Sequence, residues 1–197
     1  MQPALKKSLT LFELIIAKSL LSVLVLAFSS MELFSRRHVV TSDRQALLQN
    51  EASLALEHMS KNVQQGMGNL ARPALARHAT AGIDDGFSVF IEPTPATPTI
   101  PGDGLQVDYI LSVNTLSCSV GGVNETFSTH IRPGVVYGTL PVPLPTGPAG
   151  FYINITENSS MVEISLVARF MPNINVSLDN PQVVLKSRLY TRSSAAR

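Results

Sequence analysis

The stretch from Lys6 to Met31, KKSLTLFELIIAKSLLSVLVLAFSSM, decides how the rest of this chain is read. Two lysines and a serine lead into a run that, from Leu14 to Phe34, is mostly Leu, Ile, Val, Ala and Phe. That is about the length that crosses a ~30 Å hydrocarbon core as a helix. Glu13 and Lys18 interrupt its beginning. A charged side chain at the centre of such a segment costs roughly 2.5–3.5 kcal/mol on insertion scales, so both ask for a partner.

Outward from this segment the pattern stays helical and turns amphipathic. Leu48, Ala52, Ala55, Met59, Val63, Met67 and Leu70 recur at spacings of three and four, which lines one face of a helix. No proline falls between Leu9 and Arg72, and Gly66, Gly68 and Pro73 supply an end. The organisation expected is a leader over residues 1–8, a helix over 9–72 and a β-rich domain over 73–197. The helix divides into an apolar part at 9–34 and an amphipathic part at 35–72. The apolar face on Leu48, Ala52, Ala55, Met59 and Val63 must be covered, most economically by the β-rich domain.

Twelve of the 13 prolines follow Arg72, which separates the helical part from a loop-and-strand remainder. Residues 74–82 read as a connection with room for one helical turn, and Asp84-Asp85-Gly86 as a turn before a strand at Phe87–Ile91. Pro93 to Gly104 reads as an extended, proline-rich connector. Leu105 to Val113 alternates apolar and polar residues, the mark of a half-buried strand. Gly121-Gly122 predicts a hairpin between Leu116–Val120 and Val123–Phe127. Ile131 to Gly150 reads as an exposed excursion, rich in Pro and Gly. A second hairpin, Phe151–Ile155 with Met161–Phe170, and a last strand at Gln182–Thr191 complete an antiparallel sheet. The fold class is α+β, with the long helix packed on that sheet.

Composition narrows the chemistry. A formal charge of +1 with no Lys/Arg cluster gives no footprint for nucleic acid. The single Cys118 excludes an internal disulfide. His38, His58, His78 and His130 have no metal-ligand spacing, so no metal and no cofactor is expected. A phosphate-cradling glycine loop, a G-x-S-x-G turn and a paired-carboxylate motif are all missing, which points away from an enzyme. Asn-x-Ser/Thr triplets at Asn124, Asn154, Asn158 and Asn175 arise readily by chance in a chain rich in these residues.

Ser8-Leu9-Thr10-Leu11-Phe12-Glu13 resembles the processing motif of type IV pilins and type II secretion pseudopilins: a basic leader, a small residue, an apolar residue, Thr, Leu, an apolar residue, Glu. The resemblance implies that a prepilin peptidase cuts between Ser8 and Leu9 and methylates the new amine of Leu9. It implies that Glu13 docks against the Leu9 amine of a neighbouring subunit. Asp43 to Ser60 and Asp103 to Cys118 resemble, more diffusely, minor pilins of the PilW type. Other major and minor pilins or pseudopilins and an inner-membrane assembly platform are then the implied partners. The implied location is the bacterial inner membrane, N-terminus cytoplasmic and β-rich domain periplasmic, followed by the tip of a pilus or pseudopilus, where minor subunits of this type prime or cap assembly.

Two other readings stay open at this stage. One is a secretory signal peptide with an apolar core at Leu20 to Ala27 and a small-x-small site at Ala27-Phe28-Ser29. The other is a plain signal anchor. Either would leave a secreted or membrane-anchored β-rich adhesin or binding domain. Charge counting does not settle orientation, because Lys6 and Lys7 on one side face Arg36 and Arg37 on the other.

Overall fold

The computed structural model describes residues 10–67, 73–80, 83–91, 105–138, 149–155 and 160–191. These form one α-helix, α1 (Leu11–Gln65), followed by nine strands: β1 (Leu75–Thr80), β2 (Ile83–Ile91), β3 (Leu105–Ser112), β4 (Thr115–Val120), β5 (Val123–Ser128), β6 (Val135–Tyr137), β7 (Phe151–Ile155), β8 (Met161–Arg169) and β9 (Gln182–Tyr190). The fold is α+β, a long N-terminal helix packed on a C-terminal, mainly antiparallel β domain. The chain divides into two units, Met1–Ser42 and Asp43–Arg197, and α1 runs through the division.

In the first unit every described residue from Thr10 to Val40 is solvent-exposed. The helix starts there on a capping box. The Thr10 N–H and hydroxyl donate to Glu13 Oε2 at 2.9 and 3.0 Å, and the Glu13 N–H donates back to Thr10 Oγ1 at 3.3 Å.

In the second unit Leu48, Ala52, Ala55, Met59 and Val63 are buried. They enter the same core as Phe87 and Val89 of β2, Tyr109 of β3, Leu116 of β4, Phe127 of β5 and Ile164 of β8. Full burial of a large apolar side chain is worth roughly 1.5–3 kcal/mol, so this stripe holds the helix on the domain. α1 ends at Gln65 rather than at residue 72. Beyond it Gly66 bridges Ile91, and the Met67 N–H donates to the Phe90 carbonyl at 2.9 Å. The Gly66 N–H still bonds back to the Val63 carbonyl, and the chain leaves the helix where the following donor, the Met67 N–H, is taken by β2. Met67, expected on the buried face, is exposed, and Leu70 lies outside the described residues.

The strands make two sheets where one was expected. Five strands run in the order β1-β2-β3-β4-β5, all antiparallel, and four in the order β6-β7-β8-β9. β6 pairs parallel with β7, and the other pairs of that sheet are antiparallel. Phe87 meets Phe151 across the core, ring centroids 6.2 Å apart. Tyr137 of β6 accepts from the Gly86 N–H at 3.1 Å and donates to the Gly86 carbonyl, stitching the second sheet to β2.

Four local expectations are corrected. Residues 75–80 are a strand, not a connection with a helical turn, because β1 pairs along β2. Asp84-Asp85-Gly86 lies inside β2. Gly86 serves close approach instead of a turn: a Cβ there would sit 1.7 Å from the Tyr109 carbonyl oxygen. Val113 leaves β3 for a two-residue turn at φ 57°, a costly backbone for a β-branched residue, and is exposed. Within the expected excursion at 131–150, Ile131 is buried and bridges Ala168, and Val135–Tyr137 forms β6. Extra backbone bonds, Arg132 N–H to Val167 and Arg169 N–H to His130, hold this segment on β8 despite Pro133. The hairpin at Gly121-Gly122, with φ of 57° and 85°, is where the sequence puts it. The connector at 93–104 and most of the turn at 157–160 lie outside the described residues.

Burial, assisted by the carboxylates of Glu125 and Asp108, pushes the Cys118 thiol up to about 11, and burial pushes the Tyr109 phenol well above its ordinary value of 10.0. Both groups hold their protons in the folded chain and release them more readily when unfolded. The thiol's stabilisation is therefore complete below its unfolded value near 9.0 and is lost as pH climbs through about 11, while the phenol's begins to be lost only above 10.0. Melting temperature should be level up to 9.0 and fall from there to about 11. Cys118→Ala should make the fall shallower; thermal melts across this range check it.

Candidate functional site

Of the residues that the sequence singles out near the N-terminus, Ser8 and Leu9 lie outside the described residues and Glu13 lies in the first turn of α1. Its carboxylate caps the helix through Thr10 and is open to solvent. The exposed helix downstream is long and apolar enough to cross a membrane. Three of its serine hydroxyls bond back to the helix's own carbonyls. Ser19 donates to the Ile15 carbonyl, Ser22 to Lys18 and Ser30 to Ala27, at 2.8–2.9 Å. In hydrocarbon, where no water replaces a missing bond, this internal satisfaction removes the cost of three hydroxyls. Arg36 pairs with Glu32 at 2.5 Å, one turn apart. Hydroxyls aside, the surface of this exposed helix is apolar apart from Glu13 and Lys18 near its start and Glu32, Arg36, Arg37 and His38 near its end.

Alongside the buried stripe, four polar residues of α1 tie the helix to the β domain. Arg44 stacks over Phe170, 4.4 Å from the ring centroid, and donates to the Asp179 carbonyl. Glu51 accepts from Ser128 Oγ at 2.6 Å and lies 3.0 Å from His130 Nδ1. Tyr109 Oη donates to the His58 carbonyl at 3.2 Å and accepts from Asn62 Nδ2 at 2.7 Å. Sequence reasoning missed these ties. Their signal was positional: 44, 51, 58 and 62 are separated by seven, seven and four, which puts them along one edge of the stripe.

A second polar cluster lies on β1, β2 and β3. His78 Nδ1 is 2.5 Å from Asp85 Oδ1, and its Nε2 is 4.0 Å from Asp108 Oδ2. Ser88 Oγ donates to Asp108 Oδ1 at 2.6 Å, and Gln106 Nε2 donates to the same oxygen at 2.7 Å. The serine is bonded to the carboxylate and not to the imidazole. The nucleophile–base contact that activates a hydroxyl is therefore not formed. Among the described residues no three His, Cys, Asp or Glu side chains are arranged to hold a metal ion. No family model, curated protein or solved structure matches this chain.

Proposed function

We propose that this chain is a minor type IV pilin or type II secretion pseudopilin: a structural subunit, not an enzyme, that primes or caps assembly of a pilus or pseudopilus. The observation that carries the reading is the placing of Glu13. Its carboxylate opens a helix that is exposed through Val40 and mostly apolar as far as Phe34, while one face of the later part of the same helix is buried in a β domain. A carboxylate at the head of a lipid-length apolar helix needs a cation from outside its own chain, and the Leu9 amine of an adjacent subunit is one of the right charge. In this reading α1 supplies the assembly surface and the β domain the surface that distinguishes this subunit. The chain sits first in the inner membrane, N-terminus cytoplasmic and β domain periplasmic, as substrate of the prepilin peptidase. It then joins other pilins or pseudopilins through the assembly platform.

Processing is the direct test. Mass analysis of the N-terminal peptide from protein made in its native host should find a chain beginning at a methylated Leu9. A mature start near Ser30 would mean a cleaved signal peptide, and the pilin reading would fall.

A further inference from the structure

The twelve-residue segment between β8 and β9, Phe170 to Pro181, inverts the usual arrangement between its two ends: polar groups hold it together, while Ile174, Val176 and Leu178 go to solvent. Asn180, 2% exposed, is the hub. Its Nδ2 donates to the carbonyls of Met171, Ile174 and Asn175, each at 3.1 Å, and its Oδ1 accepts from the Met171 N–H at 2.7 Å. Ser177 and Asn180 exchange backbone bonds at 3.1 and 3.2 Å, and the Phe170 N–H reaches the Pro181 carbonyl, closing the loop at its base. Arg169, itself buried, donates to the Ile174 carbonyl at 2.5 Å. On this braced frame Ile174 is 53% exposed, Val176 56% and Leu178 75%. The loop is pre-organised, so presenting these side chains to a partner costs little ordering entropy.

The place of the loop in the chain indicates the partner. Arg44 touches both ends of it, stacking on Phe170 and donating to Asp179. Arg44 follows Val40, the last large apolar residue of the exposed run, by four positions in α1. The loop is thus tied to the part of the β domain from which the chain enters its apolar segment. Arg36 and Arg37 lie near the end of the exposed apolar run and Arg44 just beyond it, within reach of lipid phosphates once that run is in a bilayer. We propose that the Phe170–Pro181 loop docks the β domain on a lipid bilayer by placing Ile174, Val176 and Leu178 into the headgroup–acyl boundary, where small apolar groups on a polar frame bind. The proposal rests on α1 entering that bilayer.

The chain contains no tryptophan, so one introduced indole is read without background. Four single variants of the full chain, Ile174→Trp, Val176→Trp, Leu24→Trp and Val123→Trp, all at exposed positions, would be reconstituted into phosphatidylethanolamine–phosphatidylglycerol vesicles with brominated acyl chains. Leu24→Trp reports the helix. Val123→Trp reports the far end of the domain, because β5 runs beside α1 from Ser128 at Glu51 past Phe127 at His58, away from Arg44. The expected result is blue-shifted, bromine-quenched emission from Ile174→Trp, Val176→Trp and Leu24→Trp, and unquenched emission from Val123→Trp. Quenching of Leu24→Trp without quenching at either loop position would overturn the docking proposal. A blue shift at the loop without quenching would also overturn it, in favour of a protein covering the loop. An unquenched Leu24→Trp would show instead that α1 is not in the bilayer, and the proposal would fall with that reading.

Discussion

Met59→Asp is expected to leave the β domain largely unfolded at temperatures where the parent chain is intact. Met59 is 0% exposed, in the middle of the stripe, inside a core that includes residues from both sheets. An aspartate there buries an unpaired carboxylate and removes an apolar side chain, and each change is destabilising by itself. The combined loss should be at least about 4 kcal/mol, against total stabilities of about 5–15 kcal/mol for ordinary domains. For a domain of this size that lowers the melting temperature by on the order of 10 °C or more. Leu54→Asp is the control, because Leu54 is on the same helix and 57% exposed. It should change stability by no more than about 0.5 kcal/mol. Far-UV circular dichroism melts of the full chain in detergent micelles compare the two. Equal melting temperatures would mean that α1 does not pack through this face.

The second large effect belongs to Glu13. Under the proposed function, Glu13→Ala should leave the helix in the membrane but remove the protein from sheared filaments and from complexes with other pilins. Two roles of the carboxylate have to be separated, since Glu13 also caps α1 through Thr10. Losing a cap costs about 1 kcal/mol, and glutamine at this position can still reach back to the Thr10 N–H. Glu13→Gln therefore keeps the capping box and removes the charge. If charge pairing between subunits is what matters, Glu13→Gln should fail to assemble as completely as Glu13→Ala. Co-purification of tagged variants with filaments reads the difference, and full assembly of Glu13→Gln would reduce Glu13 to a helix cap. Lys18→Ala belongs beside them. Lys18 is five residues on and about 140° around the helix, so it is poorly placed to neutralise Glu13 within one chain but free to do so between chains.

The β4–β5 and β7–β8 hairpins and the last strand were legible because each is a local pattern: alternation broken by turn residues. Gly86 was misread for an instructive reason. Asp-Asp-Gly is a good turn by composition, and only the 1.7 Å approach of a would-be Cβ to the Tyr109 carbonyl shows what the glycine is for. β6 was invisible because three residues are too few to show a period. Its parallel pairing with β7 depends on a backbone route that no local signal specifies.

What the sequence determined by itself is what side-chain periodicity and length can carry. That includes an apolar helix long enough for a bilayer, a stripe at Leu48, Ala52, Ala55, Met59 and Val63, and strands that must cover it. What only the tertiary structure decided is partnership across long sequence separation. The splitting of the strands into two sheets joined at Phe87–Phe151 and Tyr137–Gly86 is of this kind, as are the ties from Arg44, Glu51, His58 and Asn62. So is the loop that Asn180 braces while Ile174 and Val176 face solvent. Hydrophobic burial is non-directional and leaves a trace in every apolar residue along the chain. A hydrogen bond between residues 44 and 179 leaves none until the backbone has brought its two ends together.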